Sequence, residues 1–102
     1  MEVKEIKESE FENIIKEGNT IIDCYATWCG PCKMMAPIVD EIAKNTADWN
    51  FYKLDVDQAE NTAMNYGIMS IPTLLFFKEG NLIHKEIGLR SKEELDDIIK
   101  KL

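Results

Sequence analysis

The chain has 102 residues, room for one domain, and its 45% hydrophobic content is enough for one core. A formal net charge of −7, from 19 Asp and Glu against 12 Lys and Arg scattered along the chain, opposes binding to nucleic acid or to an anionic membrane surface. No apolar run approaches the roughly 18 residues that span a bilayer, and Met1-Glu2-Val3-Lys4-Glu5 has no signal-peptide core, so a cytoplasmic protein is expected.

Val3 to Ile6 reads as a short first strand. Ser9-Glu10-Phe11-Glu12 has capping-box spacing, which predicts a helix start there with Phe11, Ile14 and Ile15 on the buried face. Gly18 and Asn19 end that helix. Thr20 to Ala26, mostly apolar and rich in β-branched residues, predicts a strand buried on both faces, and Trp28-Cys29-Gly30-Pro31-Cys32 follows soon after. Met35, Ile38, Val39 and Ile42 fall at i, i+3, i+4 and i+7, an amphipathic helix beginning at Gly30 or Pro31. Pro37 lies inside it and lacks the amide hydrogen that would bond the Lys33 carbonyl, which predicts a kink rather than a break.

Phe51 to Val56 reads as a strand, and Ala59, Ala63 and Tyr66 as a short helix ending at Gly67. Pro72 to Lys78, carrying Leu74-Leu75-Phe76-Phe77, predicts a buried strand. The Glu79-Gly80-Asn81 turn leads to an alternating, half-exposed edge strand over Leu82 to Ile87, with Ile83 and Ile87 inward and His84 facing solvent. Ser91 and Glu94 form another capping box, ahead of a helix with Leu95, Ile98, Ile99 and Leu102 on its apolar face. The order β-α-β-α-β-α-β-β-α describes a single α/β domain over residues 1–102.

Cys29-Gly30-Pro31-Cys32 sits where a buried strand gives way to a helix, the setting that makes Cys-x-x-Cys a redox pair. Pro31 pre-sets a helical φ, and the helix start offers unpaired amides and partial positive charge to a Cys29 thiolate. The same spacing is half of a zinc knuckle, but only Cys24 and His84 remain as further ligands and the pattern separates them from the pair, so no metal is expected. Asp23 is an ionisable residue inside an apolar strand, where desolvation raises a carboxyl pKa and suits it to accept a proton from a nearby thiol. Lys53 shares strand parity with Phe51, which would let its stem pack while its ammonium approaches Asp23, but by sequence alone it reads equally as an ordinary surface lysine. Cys24, on the opposite strand face from Asp23, reads as a small core residue, Trp49 as packing, and Met34, Met35, Met64 and Met69 as core or groove-edge filler.

Ala26-Thr27-Trp28-Cys29-Gly30-Pro31-Cys32-Lys33-Met34, together with Asp23, Lys53, Ile71-Pro72-Thr73 and Gly88 in the same order, resembles the thioredoxin family over nearly the whole chain. Cys24 and Tyr25 depart from it, standing where an aromatic residue and a tryptophan are usual. The resemblance implies a thioredoxin fold, a central mixed five-stranded sheet flanked by four helices. It implies a protein-disulfide reductase in which Cys29 is the nucleophile and the more exposed cysteine, Cys32 resolves, and Asp23 with Lys53 handles the proton. It further implies a cis Ile71–Pro72 peptide and a shallow docking groove of Trp28, Gly30, Pro31, Ile71, Pro72, Ile87 and Gly88. No cofactor is implied; the partners are disulfide-bearing proteins and a thioredoxin-reductase-type electron donor, and nothing requires more than a monomer. A docking subunit with incidental cysteines would lack reason to keep Cys29, Cys32, Asp23 and Pro72 together.

Overall fold

The computed structural model describes residues 2–102 and contains a five-stranded mixed sheet ordered β1-β3-β2-β4-β5. Its elements are β1 (Lys4–Glu5), α1 (Glu8–Ile15), β2 (Asn19–Tyr25), α2 (Gly30–Lys44), β3 (Asn50–Asp55), a 3-10 turn (Val56–Gln58), α3 (Glu60–Asn65), β4 (Thr73–Lys78), β5 (Asn81–Ile87) and α4 (Lys92–Lys100). β1, β3 and β2 run parallel, and β4 and β5 are antiparallel to their neighbours. The four-helix α/β architecture is the one the sequence predicts.

β2 lies at the centre, and its alternating side chains feed two cores. Ile21 joins Met35, Val39 and Ile42 of α2, Phe51, Phe76, and Leu95 of α4 on one face, with Trp49 at its edge. Ile22 and Cys24 face Phe11 and Ile15 of α1, Leu54, Leu75 and Phe77 on the other. Asp23 has the parity of Ile21 and so lies on the α2 side. α2 continues through Pro37, and α4 begins with the predicted box, in which Ser91 Oγ accepts from Glu94 N–H and Glu94 Oε1 accepts from Ser91 N–H.

Two predicted details are corrected. α1 starts earlier: its reach-back bond runs from Lys7 N–H to Glu10 Oε1 at 2.8 Å, not between Ser9 and Glu12. Tertiary bonds claim the neighbouring carboxylates instead, Glu8 accepting from Thr62 N–H at 2.7 Å and Glu12 from the Tyr66 hydroxyl at 3.3 Å. On β5 the ladder shifts by one residue between Phe76 and Phe77, which pair with His84 and Leu82. Against expectation, His84 pairs with Phe76 and packs on its ring with centroids 5.3 Å apart, while Ile83 and Ile87 are exposed.

Candidate active site

β2 ends at Tyr25, and Cys29 is the N-cap of α2, with φ −85° and ψ 111°. Its Sγ accepts the Cys32 backbone N–H at 3.2 Å, so an otherwise orphaned helix-start amide points at the sulfur. That amide and the helix dipole favour negative charge on Cys29 whenever the pair is reduced. Cys29 and Cys32 are joined as a disulfide, with Cα atoms 5.3 Å apart. The expected difference in exposure is absent: the residues are 4% and 5% exposed. What separates them is the surface they face, since Cys29 lines the adjoining groove and Cys32 does not.

The groove encloses about 580 Å³ and is walled by Trp28, Cys29, Gly30 and Pro31 on one side and by Val56, Glu60, Ala63 and Ile68 to Ile71 on the other. Trp28 is 68% exposed and donates its indole N–H to Asp57 Oδ2 at 2.8 Å. The Ile71–Pro72 peptide is cis, and the Ile71 carbonyl oxygen lies 3.9 Å from Cys29 Sγ. Ile71 N–H has no partner among the described residues, while the Thr73 hydroxyl pins the preceding turn by donating to the Ser70 carbonyl at 2.7 Å.

Pro72, Ile87 and Gly88 do not line this groove. Gly88 N–H donates to the Pro72 carbonyl at 2.8 Å, which ties these residues to the backbone beyond Ile71. Gly88 adopts φ +97°, a left-handed conformation that suits glycine. Val56, Glu60, Ala63, Ile68 and Met69 are groove residues without a local sequence signal, except that Met69 fits the groove-edge role. Met34 and Met64 are exposed outside the groove lining, and Met35 is core.

Asp23 is 5% exposed, and its Oδ1 has no hydrogen-bond partner among the described residues. Burial pushes its carboxyl up to about 7, against the Lys53 ammonium, which pulls down, and with the Asp40 and Glu5 carboxylates, which push further up. Asp23 and Lys53 are register partners across β2 and β3, yet no ion pair joins them among the described residues. Cys24 is fully buried, and burial raises its thiol above the ordinary range. It is an inert part of the core.

The thioredoxin family model matches residues 2–101. The chain is 46% identical over 100 residues to a thioredoxin of Listeria monocytogenes, covering 97% of each. It is 42% identical over 102 residues to one of Staphylococcus saprophyticus, covering 99% of this chain and 98% of the relative. Among solved structures, a mutant thioredoxin from Halobacterium salinarum superposes with a TM-score of 0.89 at 32% identity, over 98% of this chain and 89% of that one. With a disulfide between Cys29 and Cys32 at the head of α2, the chain belongs to the thioredoxin family of thiol–disulfide oxidoreductases.

Proposed function

We propose that the chain reduces protein disulfides with Cys29 attacking and Cys32 resolving, and that it serves in the cytoplasm as a monomeric general electron carrier recharged by a thioredoxin-reductase-type donor. The Cys29 thiolate attacks one sulfur of a substrate disulfide, forming a mixed disulfide and expelling the other sulfur as a thiolate. Cys32 then loses its proton to the Asp23 carboxylate, and its thiolate attacks Cys29 Sγ. The Cys29–Cys32 disulfide forms, and the substrate leaves as a dithiol, its two thiolates taking up the proton held by Asp23 and one from solvent. Two electrons pass to the substrate, and a reductase returns them.

One observation carries the order of attack: of the two cysteines, Cys29 is the one that lines the groove, and the Cys32 amide is directed at its sulfur. A substrate strand laid along the groove finds Ile71 N–H unpaired beside Cys29, which suits main-chain pairing and a broad substrate range. Asp23 suits proton acceptance because its carboxyl changes state near neutral pH, and Lys53 supplies the nearest opposing charge.

Thiolate activation alone does not supply the rate. For a thiol lowered from a pKa of about 8.5 to about 7, the thiolate fraction at pH 7 rises roughly 16-fold while nucleophilicity falls about fivefold, a net gain of about threefold. Docking and the proximity of Cys32 to the mixed disulfide must do the rest.

The test is trapping. Cys32→Ser should accumulate a mixed disulfide through Cys29 with a protein substrate, and Cys29→Ser should accumulate none. The reverse pattern would exchange the two roles, and a wild-type protein unable to reduce disulfides would end the reading.

A further inference from the structure

Lys53 stands between two carboxylates. Its register partner across the β1–β3 ladder is Glu5, and across the β2–β3 ladder it is Asp23. The three residues form a row over adjacent strands with side chains on one face of the sheet. Of the two acids, Glu5 is the exposed one, so pairing it with Lys53 would cost the least desolvation. Yet Lys53 pairs with neither among the described residues.

Glu5 is engaged elsewhere. The Tyr25 hydroxyl lies 2.6 Å from both Glu5 Oε1 and Oε2, a short charge-assisted contact. Tyr25 is two residues beyond Asp23 on β2, so its ring lies on the same face, with Lys53 Nζ 6.0 Å from the ring centroid.

We propose that Tyr25 is a positioning residue for the proton-transfer step: its hydroxyl holds the Glu5 carboxylate away from Lys53 and leaves the lysine's charge to act on Asp23. The inference rests on the reading of Asp23 as proton acceptor. The charged and titratable groups that interact with Asp23 are Lys53 on β3, Glu5 on β1, Asp40 on α2, and Cys24 and Tyr25 on β2 itself, to which the proposed mechanism adds Cys32 once the disulfide opens. Glu2 and Lys44 line the same surface depression as Lys53 and Asp40, and β4 offers Leu74, which carries no charge, as the partner of Asp23. Among the groups acting directly on Asp23, Lys53 is the one that favours its ionised form. Capture of Lys53 by Glu5 would therefore delay ionisation to higher pH.

The experiment titrates the Asp23 carboxyl carbon by NMR in the oxidised protein and, in parallel, records the pH profile of disulfide reduction. Tyr25→Phe keeps the ring and removes the hydroxyl; the expected result is a midpoint raised by about half a pH unit in both measurements. Adding Glu5→Gln to Tyr25→Phe should bring the midpoint back to the wild-type position or below it. A lower unfolding temperature with an unmoved midpoint would mark a merely structural tyrosine and overturn the proposal, as would a double variant that stays displaced. Asp23→Asn tests the underlying reading separately: a rate that keeps the wild-type pH profile defeats the role of Asp23, whereas an unmoved NMR midpoint in Tyr25→Phe defeats the role of Tyr25 alone.

Discussion

Trp28 and Asp57 are joined by an indole N–H to carboxylate bond of 2.8 Å that ties the redox loop to the 3-10 turn on the other side of the groove. Asp57 is itself held, its N–H donating to Asp55 Oδ1 at 3.0 Å. The groove therefore has a fixed width on this side although Trp28 is largely exposed. Asp57→Ala should release the indole and lower kcat/KM for protein disulfides by about threefold to tenfold, because misplaced docking groups cost rate. The bond is exposed, so the unfolding free energy should change by less than about 1 kcal/mol. Steady-state reduction and urea unfolding of the same variant check both halves.

Asp23 makes stability fall as pH rises. Its folded-state pKa is raised from 3.8 to about 7, so between those values the native state holds a proton that the unfolded state has lost. The penalty is absent below pH 3.8, grows through the window, and is complete once pH exceeds about 7. At 1.36 kcal/mol per unit it reaches about 4 kcal/mol at full ionisation. Asp23→Asn removes the ionisation, so its stability relative to wild type should grow from pH 5 to about pH 7 and level off by pH 8. Thermal unfolding at several pH values measures it; equal differences at pH 5 and pH 8 would contradict the linkage.

Features with their own local pattern were legible in the sequence. The Ser91/Glu94 box, the Phe11 and Ile15 face, and the strand-to-helix setting of Cys29 and Cys32 each need only a few neighbouring residues to declare themselves. What was not legible depends on residues distant in the chain. Ser9 and Glu12 have capping-box spacing, but Thr62 and Tyr66 engage the carboxylates of Glu8 and Glu12, and the helix starts one residue before Ser9. The environment of His84 is set by its cross-strand partner Phe76, whose ring it packs against, and the alternation of β5 alone does not reveal that pairing. Half the groove wall comes from the 3-10 turn, α3 and the segment after it, where Val56, Glu60, Ala63 and Ile68 carry no periodic signal of a binding surface.

Glu8 caps a helix other than its own. Its Oε2 accepts the N–H of Thr62, the third residue of α3, at 2.7 Å, while α3 has no side-chain cap from its own N-cap, Ala59. α3 has six residues, too few to be stable alone, so it relies on such tertiary support. Glu8→Ala should cost about 1 kcal/mol in urea unfolding. Amides of α3 should also exchange faster with deuterium than those of α2. Glu8→Gln keeps an acceptor oxygen and should recover most of the loss.

Met69 presents an adaptable apolar side chain to whatever docks. It is 94% exposed and lines the groove two residues before Ile71, so folding gains almost nothing from it, whereas a substrate that covers it removes apolar area from water. A side chain left this open in the free protein contributes chiefly in the complex. Met69→Ala should therefore leave the unfolding temperature unchanged and lower kcat/KM for a protein disulfide by about threefold to tenfold, corresponding to about 1 kcal/mol of lost burial. A small aromatic disulfide brings no peptide to cover Met69, so its reduction rate should stay at the wild-type value. An equal loss with both substrates would place the effect on the reactivity of Cys29 instead of on docking.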